Sequence, residues 1–179
     1  MSLEKLQQKL PEVSVWIDHT LATHAAQARP VADLGFTRLG SYYSAAMLAS
    51  AKAIPVTKVP APPLASMGLT GFDEFENLNA AGITYRSSFF VKHGCERDES
   101  LHFHELVHVV QWQHLGPEKF IMAYALGHLT CGGYHTNPLE VMAYTLQACF
   151  DHHAPGFDVA AVVSTELDRV VTALFAQGI

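Results

Sequence analysis

The stretch Glu99–His114 constrains this chain more than any other. It reads Glu-Ser-Leu-His-Phe-His-Glu-Leu-Val-His-Val-Val-Gln-Trp-Gln-His, followed after Leu115 by Gly116-Pro117, which stops a helix. Leu106, Val107, Val109 and Val110 make the helix strongly apolar, so it belongs in a core. Yet His104, Glu105 and His108 sit among those residues. Polar and charged groups are costly in such a helix unless they are paired or coordinated.

His-Glu-x-x-His has a direct geometric meaning. Four residues of α-helix advance about 400°, so His104 and His108 project from one face, one turn apart, and can share a metal. Glu105 lies about 100° round from His104, near enough to reach a metal-bound water without being a ligand. Zinc brings the pKa of such a water towards neutrality, and the carboxylate can take its proton during attack on a carbonyl. His102 lies about 200° away from His104 and cannot join the same site directly. A catalytic zinc usually takes a third protein ligand. His114 would give His-Glu-x-x-His-x-x-Gln-x-x-His, which resembles the metzincin pattern with Gln111 where that family has a helix-breaking glycine. An unbroken helix carries His114 about 9 Å up the axis from His108 and out of reach. Glu140 is the favoured candidate. Asn137-Pro138 starts a helix and puts Glu140 in its first turn on an otherwise apolar stretch, where a carboxylate alone could equally complement the helix dipole.

The rest of the composition narrows the class. Apolar residues make up 49% of the 179 and charged residues 16%, enough for a packed core. Eleven Lys and Arg stand against 17 Asp and Glu, for a net charge of −6, and no basic cluster exceeds two residues. That balance repels phosphate backbones, so no nucleic-acid partner is expected. No apolar run reaches the ~18 residues a bilayer span needs, and the start lacks the plan of a secretion signal. Cys95, Cys131 and Cys149 form an odd, sparse set without CxxC, which fits a reducing cytoplasm. Of the 11 histidines, His128 and His135 have ligand-like spacing with Cys131, but that set is one ligand short of a closed zinc site.

Residues 3–28 read as helical, with Pro11 as a point where the helix could divide. Residues 44–53 read as a second helix, leading into a short strand and extended segment over 54–63. Gly82–Val91, rich in β-branched and aromatic residues, reads as one strand. Further helices are expected over 99–114, from Pro117 to about Leu126, over 138–150 and over 158–176, with a loop at 129–137. The expected fold is α+β, mostly helical with a small N-terminal twisted sheet, in a single domain over 1–179.

Two segments, His104-Glu105-Leu106-Val107-His108-Val109-Val110-Gln111 and Asn137-Pro138-Leu139-Glu140-Val141-Met142-Ala143, resemble the gluzincin branch of the zincin metallopeptidases, in its small bacterial members. The resemblance covers about 40 residues strongly, from His104 to Tyr144, while the N-terminal third resembles no known family. It implies a zincin-like fold, a Zn2+ cofactor held by His104, His108 and Glu140, and Glu105 as the general base of a peptidase acting on a peptide or protein substrate. It also implies an edge strand before the motif that pairs with extended substrate, a place Ile83–Val91 occupies. Gluzincins often stabilise the oxyanion with a Tyr or His near the third ligand. Tyr134, His135 and Tyr144 are available, with Tyr134 or His135 preferred because a loop residue can turn inward. The alternative is a catalytically silent, zinc-containing peptide-binding or regulatory domain, in which Glu105 would have no task. A helical interaction domain with incidental histidines is the third possibility, and it would bind no metal.

Overall fold

The computed structural model describes residues 3–177. Helix α1 (Leu3–Thr23) leads by way of a short strand β1 (Arg29–Pro30) and helix α2 (Ala45–Ser50) into strand β2 (Lys52–Val56). A long connection holding only the one-turn helix α3 (Asp73–Glu76) precedes strands β3 (Gly82–Tyr85) and β4 (Ser88–Lys92). Four helices follow: α4 (Glu99–Leu115), α5 (Pro117–Thr130), α6 (Pro138–Asp151) and α7 (Val159–Gln177). The architecture is α+β and mostly helical, with the sheet confined to the N-terminal half. No helix of the described residues is long and apolar enough to cross a membrane.

The four strands form one mixed sheet in the order β1-β2-β4-β3. Strands β2 and β4 run parallel at its centre, and Ala53, Ile54, Phe89, Phe90 and Val91 bury both faces, as a parallel pair requires. Strand β3 pairs antiparallel with β4 and forms an edge. The stretch that reads as one strand is therefore a hairpin. Its two-residue turn, Arg86-Ser87, contains none of the glycine or asparagine that normally marks such a reversal. Arg86 accepts a positive φ of 58° there and is held by Asp18 Oδ1 (2.7 Å) and Ser14 Oγ (2.9 Å) of α1.

Two other expectations are corrected. Helix α1 runs unbroken through Pro11, because Pro11 and Gln7 lie on the solvent face, where the carbonyl that loses its partner is left to water. The helix expected over 44–53 ends at Ser50. Ser44 caps its start by accepting from Met47 N, and the residues from Lys52 join the sheet instead.

Helix α4 is buried continuously from His102 to Trp112. It is covered by α5, α6, α7 and the β3–β4 hairpin, which satisfies a helix that is apolar all round. Asp98 caps it through Leu101 N, and Gly116, at a φ of 73°, ends it. Phe103 stacks on Phe150 of α6 with ring centroids 4.7 Å apart, and Tyr43 donates to the Phe103 carbonyl at 2.8 Å. These contacts fix α4 in depth and rotation, and so fix where its polar side chains emerge.

Candidate metal centre

His104 and His108 emerge from the same face of α4 with their Nε2 atoms 3.1 Å apart. Glu140, in the first turn of α6, faces both: Oε2 lies 3.4 Å from His104 Nε2, and Oε1 lies 3.3 Å from His108 Nε2. All three residues are buried, and one ligand atom from each lies within 4.8 Å of the others. Among the described residues this is the one group of three or more potential ligands that could hold a metal ion.

The hydrogen bonds around the group decide what it lacks. Gln111 donates its amide nitrogen to the Leu139 carbonyl (3.0 Å), which leaves its oxygen 2.8 Å from His108 Nδ1. A carbonyl oxygen only accepts, so His108 carries a proton on Nδ1 and, when neutral, a bare lone pair on Nε2. His104 is held in the same way, with Nδ1 donating to Gln147 Oε1 (3.0 Å) and the Gln147 amide nitrogen on Ser100 Oγ (2.8 Å). With both rings neutral, two imidazole lone pairs thus converge on the Glu140 carboxylate with no proton between them. Glu140 Oε2 is buried without a hydrogen-bond partner. Such a cluster needs a cation or a proton at its centre, and the donor set fits a divalent metal. Without a metal, a proton serves. Burial opposes the charge on His108, but the Glu140 carboxylate outweighs it and pushes the pKa up to about 9. Against the same burial, the two histidines hold the Glu140 carboxyl well below the usual carboxylate range.

Glu140 owes its position to the junction of α5 and α6. Asn137 caps α6, accepting from Leu139 N (3.1 Å), while its amide donates to the Tyr124 carbonyl (2.9 Å). Gly127 makes this close approach possible, since a Cβ there would sit 2.6 Å from Asn137 Oδ1. Tyr124 then reaches across to donate its hydroxyl to Glu140 Oε1 (2.7 Å).

Glu105 lines the same cavity from beneath the edge strand. Thr84 of β3 donates to its Oε2 at 2.6 Å, and Trp112 Nε1 donates to the Thr84 carbonyl at 3.2 Å, tying strand to helix. Gly82 packs so closely on the carboxylate that a Cβ at that position would overlap it. Burial raises the pKa of Glu105, and the nearby histidines only partly oppose the shift.

The structure thus brings His104, Glu105, His108, Glu140 and Tyr134 to one cavity. Tyr134 places its hydroxyl 3.3 Å from that of Tyr144, whose ring covers His104 with centroids 4.5 Å apart. Burial raises the Tyr134 pKa far enough to keep the phenol protonated at every ordinary pH. His135 is exposed, packs edge-on against the Tyr134 ring and does not line the cavity. His114 points elsewhere, to Asp168 of α7 at 2.8 Å. His102 packs against Phe36 and Phe89. Tyr124 and Gln147 belong to the centre without being among the residues its motifs mark. Gln147 carries a readable signal, being seven residues and two turns from Glu140 on the same helix face, whereas Tyr124 meets Glu140 only through the tertiary fold.

No known protein family matches the chain, and neither a curated protein nor a solved structure is detectably similar to it.

Proposed function

We propose that this chain is a zincin-like peptidase of gluzincin type, in which His104, His108 and Glu140 hold a zinc ion and Glu105 carries the proton. The observation that bears most of this reading is the convergence of three buried ligand atoms, with Glu140 Oε2 left without a hydrogen-bond partner, beside a second buried carboxylate in the same cavity. A purely structural metal site needs three or four ligands and no more. A further acid at its flank, hydrogen-bonded on one oxygen only from the strand above, has a use in hydrolysis. Two imidazoles and one carboxylate are a usual catalytic zinc set, and zinc so held acts as a Lewis acid, acidifying water and polarising a carbonyl oxygen.

The protein's own part is the movement and placement of protons. Burial gives Glu105 a higher proton affinity than an ordinary carboxylate, which suits a group that takes a proton from water and returns it to a leaving amine. Tyr134, held protonated, is the hydrogen-bond donor that a developing oxyanion needs. The edge of β3 at its Gly82 end offers a place for extended substrate. With Lys92 N bonded to the Ala81 carbonyl (2.8 Å), the alternation of an antiparallel ladder turns the backbone of Gly82 and Thr84 away from β4. The Thr84 carbonyl already accepts from Trp112 Nε1, so Gly82 is the end left for substrate. Glu105 packs against Gly82 of that edge. The three cysteines, all free, support a reducing, cytoplasmic setting.

The test is Glu105→Gln assayed with a mixed peptide library on the zinc-loaded protein. Turnover in the wild type, abolished in a variant that keeps its metal, is the expected result. No cleavage by the zinc-loaded wild type would favour a metal-containing peptide-binding domain instead.

A further inference from the structure

Gly132 and Gly133 precede Tyr134 in the loop between α5 and α6, and both hold a positive φ, 92° and 105°. Two successive glycines leave a backbone many other conformations, so a tyrosine placed after them needs to be held. Its hydroxyl meets that of the half-exposed Tyr144 at 3.3 Å, long for a bond between hydroxyls. The local ties are to the backbone: Gly133 N donates to the His128 carbonyl (3.0 Å), and the Tyr134 carbonyl accepts from Asn137 N (3.2 Å).

A further tie comes from 60 residues away. Glu74, on the one-turn helix α3, accepts from Tyr134 N through Oε2 at 3.3 Å. The same oxygen lies against Gly133, where a Cβ would overlap it, so the glycine is what admits the carboxylate to the loop. Phe72 and Phe75, on either side of Glu74, set its place. Phe72 stacks on the His128 ring with centroids 5.3 Å apart, and Phe75 meets Tyr124 edge-on at 5.7 Å. Both phenylalanines also line the metal cavity, whereas Glu74 is exposed and does not. One short stretch of the connection between β2 and β3 thus forms part of the cavity wall and grips the loop whose tyrosine faces in.

We propose that Glu74 is a positioning residue for Tyr134: its carboxylate fixes the loop backbone so that the phenol stays at the cavity while its neighbour His135 meets solvent. The proposal rests on the peptidase reading, in which Tyr134 serves the oxyanion, and adds to it the group that orders this donor. A hydrogen-bond donor set in place beforehand needs no reorganisation when charge develops, so its support bears on the transition state. Glu74 lies outside the segments that carry the metal motif, and it acts through Tyr134.

The test is calorimetry on the zinc-loaded protein with a phosphinic tripeptide bearing alanine side chains, whose tetrahedral anion stands where an oxyanion would develop. Tyr134→Phe weakens its binding about tenfold or more, as the loss of a hydrogen bond to a charged group does. Glu74→Ala weakens it about two- to tenfold, with zinc affinity at the wild-type value, and has no further effect in the Tyr134→Phe background. Glu74→Gln keeps an oxygen that accepts from Tyr134 N and restores binding. Glu74 is exposed, so neither variant opens the core. Wild-type affinity in Glu74→Ala, an equal loss in both backgrounds, a parallel fall in zinc affinity, a Gln variant as weak as the Ala variant, or no binding of the phosphinate by the wild type would each overturn the assignment. Peptide turnover by the wild type, followed alongside, tests the peptidase reading separately. Coupling between Glu74 and Tyr134 without cleavage removes that reading and leaves the positioning role, whereas cleavage without coupling does the reverse.

Discussion

The Nε2 atoms of His104 and His108 face each other at 3.1 Å, and each imidazole is held from behind by a glutamine oxygen on Nδ1. That arrangement directs both Nε2 atoms at one point and keeps a proton on each Nδ1 before any metal arrives. It makes the two glutamines as much a part of the centre as the ligands themselves.

Replacement of either glutamine therefore weakens metal binding without removing a ligand. Gln147→Leu and Gln111→Leu each lower zinc affinity by about 10- to 100-fold, the usual effect of losing such a partner. Gln111 has the larger effect because it also bonds the Leu139 carbonyl beside Glu140. Competition against a chromophoric chelator measures both.

Tyr124→Phe removes the hydroxyl that bonds Glu140 Oε1 at 2.7 Å and leaves the ring packing intact. A hydrogen bond to a buried carboxylate contributes about 1.5–3 kcal/mol, so the variant loses on the order of tenfold or more in zinc affinity. An unchanged affinity in the same chelator competition would show that Glu140 is placed by its helix alone.

Gly82→Ala drives a methyl group into the Glu105 carboxylate. Overpacking of this kind costs about 1–3 kcal/mol of stability. The side chain that must move is not a metal ligand. Turnover is expected to fall sharply while metal content stays at the wild-type value, measured by elemental analysis beside a peptide assay.

Metal uptake is coupled to pH through His108. Its folded pKa, pushed up to about 9, lies above the unfolded value of about 6.5, so the proton stabilises the metal-free protein fully below about pH 6.5. That contribution fades as pH rises through about 9. Zinc needs the unprotonated ring, so each zinc bound at pH 7 displaces about one proton, and affinity rises with pH until about 9. Calorimetry in two buffers of different ionisation enthalpy counts the proton released. A count near zero would mean that His108 is neutral before the metal binds.

Much of the centre was legible because its cues are local. The i, i+4 histidines, the Asp98 cap and the Gly116 stop of α4, and the Asn137-Pro138 start of α6 are all set by a few neighbouring residues. What escaped depends on contacts distant in sequence. The Arg86-Ser87 reversal has no turn residue to announce it and is held from α1, so the hairpin reads as one strand. Tyr134 and His135 are adjacent in one loop, and only the packing decides that Tyr134 lines the cavity while His135 meets solvent. Tyr124 reaches Glu140 across the turn between two helices, and nothing in its own neighbourhood marks it.

The most direct test of the account is metal content per chain after zinc loading, in the wild type, Glu140→Ala and Glu105→Gln prepared together. About one zinc in the wild type and in Glu105→Gln, with a large loss in Glu140→Ala, is the predicted result. Metal retained in full by Glu140→Ala would contradict the assigned ligand set, and no metal in any of the three would contradict the metal centre itself.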